Sequence, residues 1–147
     1  ELERLDQKVE MGVKVFWEVD NLFDYFVKTD AELRSLRDRI FSRQSAPTTL
    51  ELIELGGFAS DRMNARKEAV SQKVVSALRR ASVEQKLDEP SEEKMVMSGW
   101  FLVSKERPQD FVAMVHEAAC LLGKEYAVKV NGPWVPFNFV EHIELEM

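Results

Sequence analysis

The chain has 147 residues, 45% apolar and 31% charged, with 26 acidic against 20 basic side chains and a formal net charge of −6. That size suits a single domain around one core, and the negative balance argues against non-specific affinity for nucleic acid or anionic membrane, which needs a concentrated positive field. No stretch approaches the roughly 20 apolar residues of a spanning helix, and the sole cysteine, Cys120, admits no intrachain disulfide, as expected of a chain kept in a reducing cytoplasm.

Met11, Val13, Val15, Trp17 and Val19 alternate with Gly12, Lys14, Phe16 and Glu18, the period of two that predicts a strand over residues 10 to 19 with one face buried. Asp20 is placed to cap a short helix whose Leu22, Phe23, Phe26 and Val27 share one side, ending near Lys28. Thr29 with Glu32 reads as a capping box for a second helix carrying Leu33, Leu36, Ile40 and Phe41 at helical spacing. Gln44 to Pro47 is a turn, and Thr48 with Glu51 is a further capping box.

From Thr49 to about Ala81 no proline interrupts the chain, and Leu52, Leu55, Ala59, Met63, Val70, Val74, Ala77 and Ala81 follow steps of three and four. A continuous helix there would be roughly 50 Å long. Gly56-Gly57 weaken it, and the charged stretch from Asp61 to Glu68 predicts a middle that projects into solvent. Residues 31 to 81 therefore read as an antiparallel helical hairpin with a narrow, coiled-coil-like seam, inserted after the first strand.

Val83, Gln85 and Leu87 predict a short second strand ending at Asp88-Glu89-Pro90, and the nearly continuous apolar run 95 to 103 predicts a central strand buried on both faces. Pro108 opens a helix with a stripe of Phe111, Val112, Val115, Ala118, Ala119 and Leu122, and Gly123 closes it. On that helix Cys120 is expected as a small buried hydrophobe. Tyr126, Val128 and Val130 alternate as a fourth strand.

Asn131-Gly132-Pro133-Trp134-Val135-Pro136-Phe137-Asn138-Phe139-Val140 follows, with two prolines that fix φ and remove donors and three aromatics. It reads as a stiff extended ribbon, neither ordinary helix nor ladder, occupying 131 to 147. Trp134, Phe137 and Phe139, stiffened by Pro133 and Pro136, are the candidate protein-binding residues; the same aromatics would equally serve to close the core over the sheet. Without the hairpin the order is βαββαβ, an α+β, ferredoxin-like antiparallel sheet.

The ribbon resembles the Gly-Pro-Trp-Pro-Pro-Tyr-Asn-Phe-Val signature of the gas vesicle protein L/F family (GvpL/GvpF), with Val135 and Phe137 at the two departures. Glu10-Met11-Gly12-Val13-Lys14-Val15 is similar to that family's Glu-Trp-Gly-Val-Lys-Val strand, and Met97 to Val103 to its Asn-Ala-Ala-Phe-Leu-Val strand. The matches keep their order over residues 10 to 140. The resemblance implies one C-terminal domain, 1 to 147, of a protein with a further N-terminal domain. It also implies an accessory role in gas vesicle assembly, in the cytoplasm and at the vesicle, through binding of the hydrophobic shell protein GvpA and other minor vesicle proteins.

No chemistry competes strongly with that expectation. His116 and His142 have no spacing partner, no zinc pattern or phosphate-cradling loop is present, and Asp88-Glu89 with Glu92-Glu93 fits no calcium loop. Catalytic residues, cofactors and metals are accordingly expected to be absent. The alternatives are a small-ligand regulatory module of the same fold, or an oligomerisation module using residues 49 to 81.

Overall fold

The computed structural model describes residues 7 to 136, 138 and 139; Phe137 and His142 lie outside the described residues. The elements run β1 (Lys8–Trp17), α1 (Leu22–Thr29), α2 (Ala31–Phe41), α3 (Thr49–Leu78) with a 3-10 turn at Arg79–Ala81, β2 (Glu84–Asp88), β3 (Met95–Ser104), α4 (Pro108–Leu122) and β4 (Tyr126–Trp134). The strands form one sheet in the order β2-β3-β1-β4 with every neighbouring pair antiparallel. That is the α+β, ferredoxin-like plan with a helical hairpin after the first strand. Two compact units divide the chain, one comprising residues up to Glu18 together with those from Val70 onward, the other Val19–Ala69.

In the sheet unit the alternation of β1 works as predicted, since Met11, Val13, Val15 and Trp17 are all at most 2% exposed. Removing each such side chain from water contributes roughly 1.5–3 kcal/mol. β3 is central and buried on both faces through Met95, Val96, Met97, Phe101, Leu102 and Val103. α4 starts with Pro108 in its first turn, ends at Gly123 with φ 104°, and buries Phe111, Val115 and Ala118. The rings of Phe111 and Phe101 lie 5.4 Å apart, which fixes the face of the sheet on which α4 packs.

One expectation for α4 fails. Cys120 is exposed, not a buried hydrophobe, and His116 is exposed as well. Successive helical residues are rotated by about 100°, so positions two beyond Ala118 and one beyond Val115 leave the narrow buried stripe.

β4 also runs further than predicted, because the ladder continues through Pro133 to Trp134 opposite Glu10. β4 is an edge strand, and an edge or a bulge accommodates a residue without an N–H. The register slips between Glu10 and Gly12, where Met11 faces the two residues Gly132 and Pro133, a bulge that absorbs the proline.

In the hairpin unit the helix starts are set by side-chain caps. Asn21 Oδ1 accepts from the Asp24 N–H at 2.9 Å. The predicted Thr29 cap is displaced by Asp30, whose carboxylate accepts from the N–H groups of Glu32 and Leu33 at 3.0 and 3.1 Å. An ionised acceptor next to the helix start outcompetes a hydroxyl, and Thr29 instead donates to the Tyr25 carbonyl at 3.0 Å. The Thr48–Glu51 capping box forms as read, with reciprocal bonds of 3.1 and 3.0 Å.

The hairpin seam buries Leu33, Leu36 and Ile40 of α2 with Leu55 and Ala59 of α3. Ion pairs of Arg43 with Glu51, Arg39 with Glu54 and Arg62 with Asp30 and Glu32 step along it in antiparallel order. Phe41 and Leu52, placed in the stripe by periodicity, are 53% and 48% exposed. The charged middle of α3 is not simply projected into solvent, since Arg62 pairs with α2 and stacks on Phe58, while Arg66 lies over the Phe26 ring.

Candidate functional site

Three segments singled out in the sequence meet at one end of the sheet, on the side opposite α4. They are the start of β1, the second half of β3, and the chain from Asn131 to Phe139. Glu10 lies opposite Leu102 and Gly12 opposite Trp100, so these four residues share a face. Glycine at position 12 is required by space, as a Cβ would fall 2.8 Å from Asn131 Oδ1 and 2.9 Å from the Trp100 ring. Gly132 has φ 116°, and a Cβ there would stand 2.8 Å from the Glu10 carbonyl oxygen. The Gly132–Pro133 peptide is cis.

The anchor is Glu10, only 2% exposed and the one buried charged side chain in the described core. Its carboxylate accepts from the backbone N–H of Asn138 at 2.9 Å and from Asn138 Nδ2 at 2.8 Å. A buried charge is tolerated when its oxygens are satisfied in this way. Just beyond, Phe139 is 6% exposed and packs with Leu102 and Trp100. The Trp100 indole donates to Asp88 Oδ2 at 3.0 Å.

The five ribbon residues predicted as a site thus separate. Phe139 and Pro136 are buried and close the core, Phe137 lies outside the described residues, and Pro133 is exposed on β4. Trp134 is 53% and Val135 63% exposed. The Trp134 indole nevertheless has a defined orientation, because it donates to Asn131 Oδ1 at 2.8 Å. Glu10 is the residue that sequence reasoning missed; its only signal was its place in the strand motif beginning Glu10-Met11-Gly12.

Among the described residues no three of His, Cys, Asp and Glu are grouped to hold a metal ion, and no helix is long and apolar enough to cross a membrane. Fold and site together define a ferredoxin-like domain elaborated by a helical hairpin and closed by a carboxylate-anchored aromatic strap. The family model for gas vesicle synthesis protein GvpL/GvpF matches residues 1–141, and the chain belongs to that family.

The chain is 22% identical over 139 residues to gas vesicle protein F of Dolichospermum flosaquae, covering 95% of this chain and 56% of that protein. With gas vesicle protein F of Haloferax mediterranei it shares 27% over 74 residues, 50% of this chain and 35% of the relative. The crystal structure of GvpF from Anabaena sp. PCC7120 matches the fold with a TM-score of 0.82 at 22% identity, over 93% of this chain and 55% of that one. That of GvpF from Microcystis aeruginosa matches with 0.72 at 19%, over 93% and 56%. The chain spans about half the length of the relatives that it matches from end to end.

Proposed function

We propose that this chain is a non-enzymatic accessory domain in gas vesicle assembly. It works in the cytoplasm and at the vesicle by binding the hydrophobic shell protein GvpA and other minor vesicle proteins. Membership of the GvpL/GvpF family supports the setting. The observation that carries the binding mode is Trp134, half exposed yet held by Asn131 beside an exposed Val135 and Pro133. A large apolar ring fixed before contact loses little conformational freedom on binding, the property of an anchor residue.

In this reading Phe139 and Pro136 hold the strap from within, Phe137 belongs to the same ribbon, and Trp134 with Pro133 meets the partner. A shell subunit with an apolar face would be shielded from self-association until it joins the wall. The test is capture of GvpA by the chain and by Trp134→Ala and Val135→Asp. Loss of capture with an unchanged circular dichroism spectrum supports the proposal, and undiminished capture by both variants removes the ribbon from the binding surface.

One observation favours a second use of the hairpin. Leu50 and Ile53, one turn apart on α3, are 79% and 64% exposed. Association of the chain through this part of α3 would make mass by light scattering rise with concentration, and Leu50→Lys with Ile53→Lys would restore a monomer.

A further inference from the structure

The face of the sheet opposite α4 carries a like-charge pair with no ion-pair partner among the described residues. Lys14 of β1 and Lys129 of β4 are directly opposed in the ladder. Directly opposed residues point to the same side with their Cβ atoms about 5 Å apart, and like charges there destabilise the pair. The chain has an excess of acidic side chains, 26 against 20, yet neither lysine takes part in an ion pair among the described residues.

The surroundings keep the two ammonium groups available. Lys129 stands over the Phe16 ring, 5.1 Å from its centroid, which draws it inward over β1. The other neighbour of Lys14 is Ser98, an uncharged residue, and Asp88 lies a further strand away, about 10 Å across the ladder. A third lysine, Lys86, opposes Trp100 on the same face and is flanked there by Glu84 and Asp88, so the positive excess lies at Lys14 and Lys129. Lys14, Phe16, Ser98 and Trp100 are half-buried and Lys86 and Lys129 exposed; among the described residues the strap packs on this surface at Leu102 and Trp100.

We propose that Lys14 and Lys129, with Lys86 and the Phe16 and Trp100 rings beside them, form a docking surface for an extended protein segment rich in carboxylates. Charge complementarity identifies the occupant: a paired positive site supplied by strands suits side chains that alternate along an extended chain, roughly 7 Å apart on one side. Nucleic acid fits less well. Its phosphates carry charge at every nucleotide, well beyond what two or three lysines on a chain with net charge −6 can match. This surface adjoins the ribbon on the same face of the sheet, centred on Lys14 and Lys129 and not on Trp134, and does not depend on the vesicle reading.

The experiment uses the full chain and a fluorescein-labelled ten-residue Glu-Ser repeat, read by fluorescence anisotropy at low salt. Binding is expected to weaken at least about tenfold in the Lys14→Gln, Lys129→Gln double variant. It should stay within about twofold in Lys105→Gln, Lys124→Gln, which changes net charge equally at exposed positions elsewhere. Removing a like-charge pair should leave the melting temperature of the first variant no lower than that of the parent, so lost binding would not reflect unfolding. Should that variant unfold, Lys129→Gln alone, at the exposed edge, gives the same comparison. Equal loss in both double variants, no measurable binding of the repeat, or tighter binding of a thymidine oligonucleotide of equal length would each overturn the proposal.

Discussion

The Glu10 carboxylate and Asn138 are 128 positions apart in sequence, and their two hydrogen bonds of 2.9 and 2.8 Å join the first strand to the last described segment of the chain. Both are charge-assisted and part-buried, the class of bond whose removal leaves a stranded partner. Glu10→Ala is therefore expected to lower stability by about 3 kcal/mol. Glu10→Gln should cost less than about 1.5 kcal/mol, because the carbonyl of the new side-chain amide can accept the backbone N–H and a flipped Asn138 amide can accept from its NH₂. Urea unfolding of the three proteins checks both figures, and equal losses in the two variants would contradict the anchor role.

Glycine positions in this chain divide by what surrounds them. At Gly132 a Cβ would meet the Glu10 carbonyl at 2.8 Å with φ 116°, so Gly132→Ala should destabilise by about 2 kcal/mol or more. At Gly56 and Gly57 a Cβ meets nothing within 4 Å. Gly56→Ala and Gly57→Ala should each stabilise α3 by up to about 1 kcal/mol through helix propensity. Opposite shifts of the thermal midpoint in calorimetry are the expected result.

Within the ribbon, stability and exposure should separate. Phe139→Ala empties a site packed on Leu102 and is expected to cost about 3 kcal/mol. Trp134→Ala, at a side chain 53% exposed, should cost less than about 1 kcal/mol. A large loss for Trp134→Ala in chemical denaturation would make it a structural residue and weaken its role as a contact.

The hairpin turn has a pH dependence with a defined sign. The Arg43 guanidinium, helped by the Thr48 N–H, lowers the Glu51 carboxyl from 4.5 to about 2. A folded value below the unfolded one means that the contribution is complete above about pH 4.5 and fades as pH falls toward 2. Amide protection factors around residues 43 to 51, which are referred to the intrinsic exchange rate at each pH, should fall through that window, and Glu51→Gln should flatten the response. The side chain is partly exposed, so high salt should reduce the effect.

Much of this fold was legible in local pattern. β1 could be read because Met11, Val13, Val15 and Trp17 alternate without exception, and the start of α3 because Thr48 and Glu51 satisfy one another three residues apart. The failures are tertiary. Phe41 and Leu52 keep helical spacing, but whether the facing helix reaches them is not written in their own periodicity. Local pattern ends the ladder before Pro133, because edge position, which permits a proline, depends on where the other strands lie. The candidate site was half legible: its aromatics and glycines stood out, whereas the bond between Glu10 and Asn138 has no local signature.

Asp30 stands alone between two helices, closing α1 through its N–H to the Phe26 carbonyl at 2.8 Å and opening α2 through its carboxylate. A corner made by one residue has no slack. Adding or deleting a position there would strip both helices of their ends at once, whereas the loop between Phe41 and Thr49 can change length at the cost of a single turn. Natural variation in hairpin size among relatives should consequently accumulate at the tip, with the hinge at Asp30 keeping constant length.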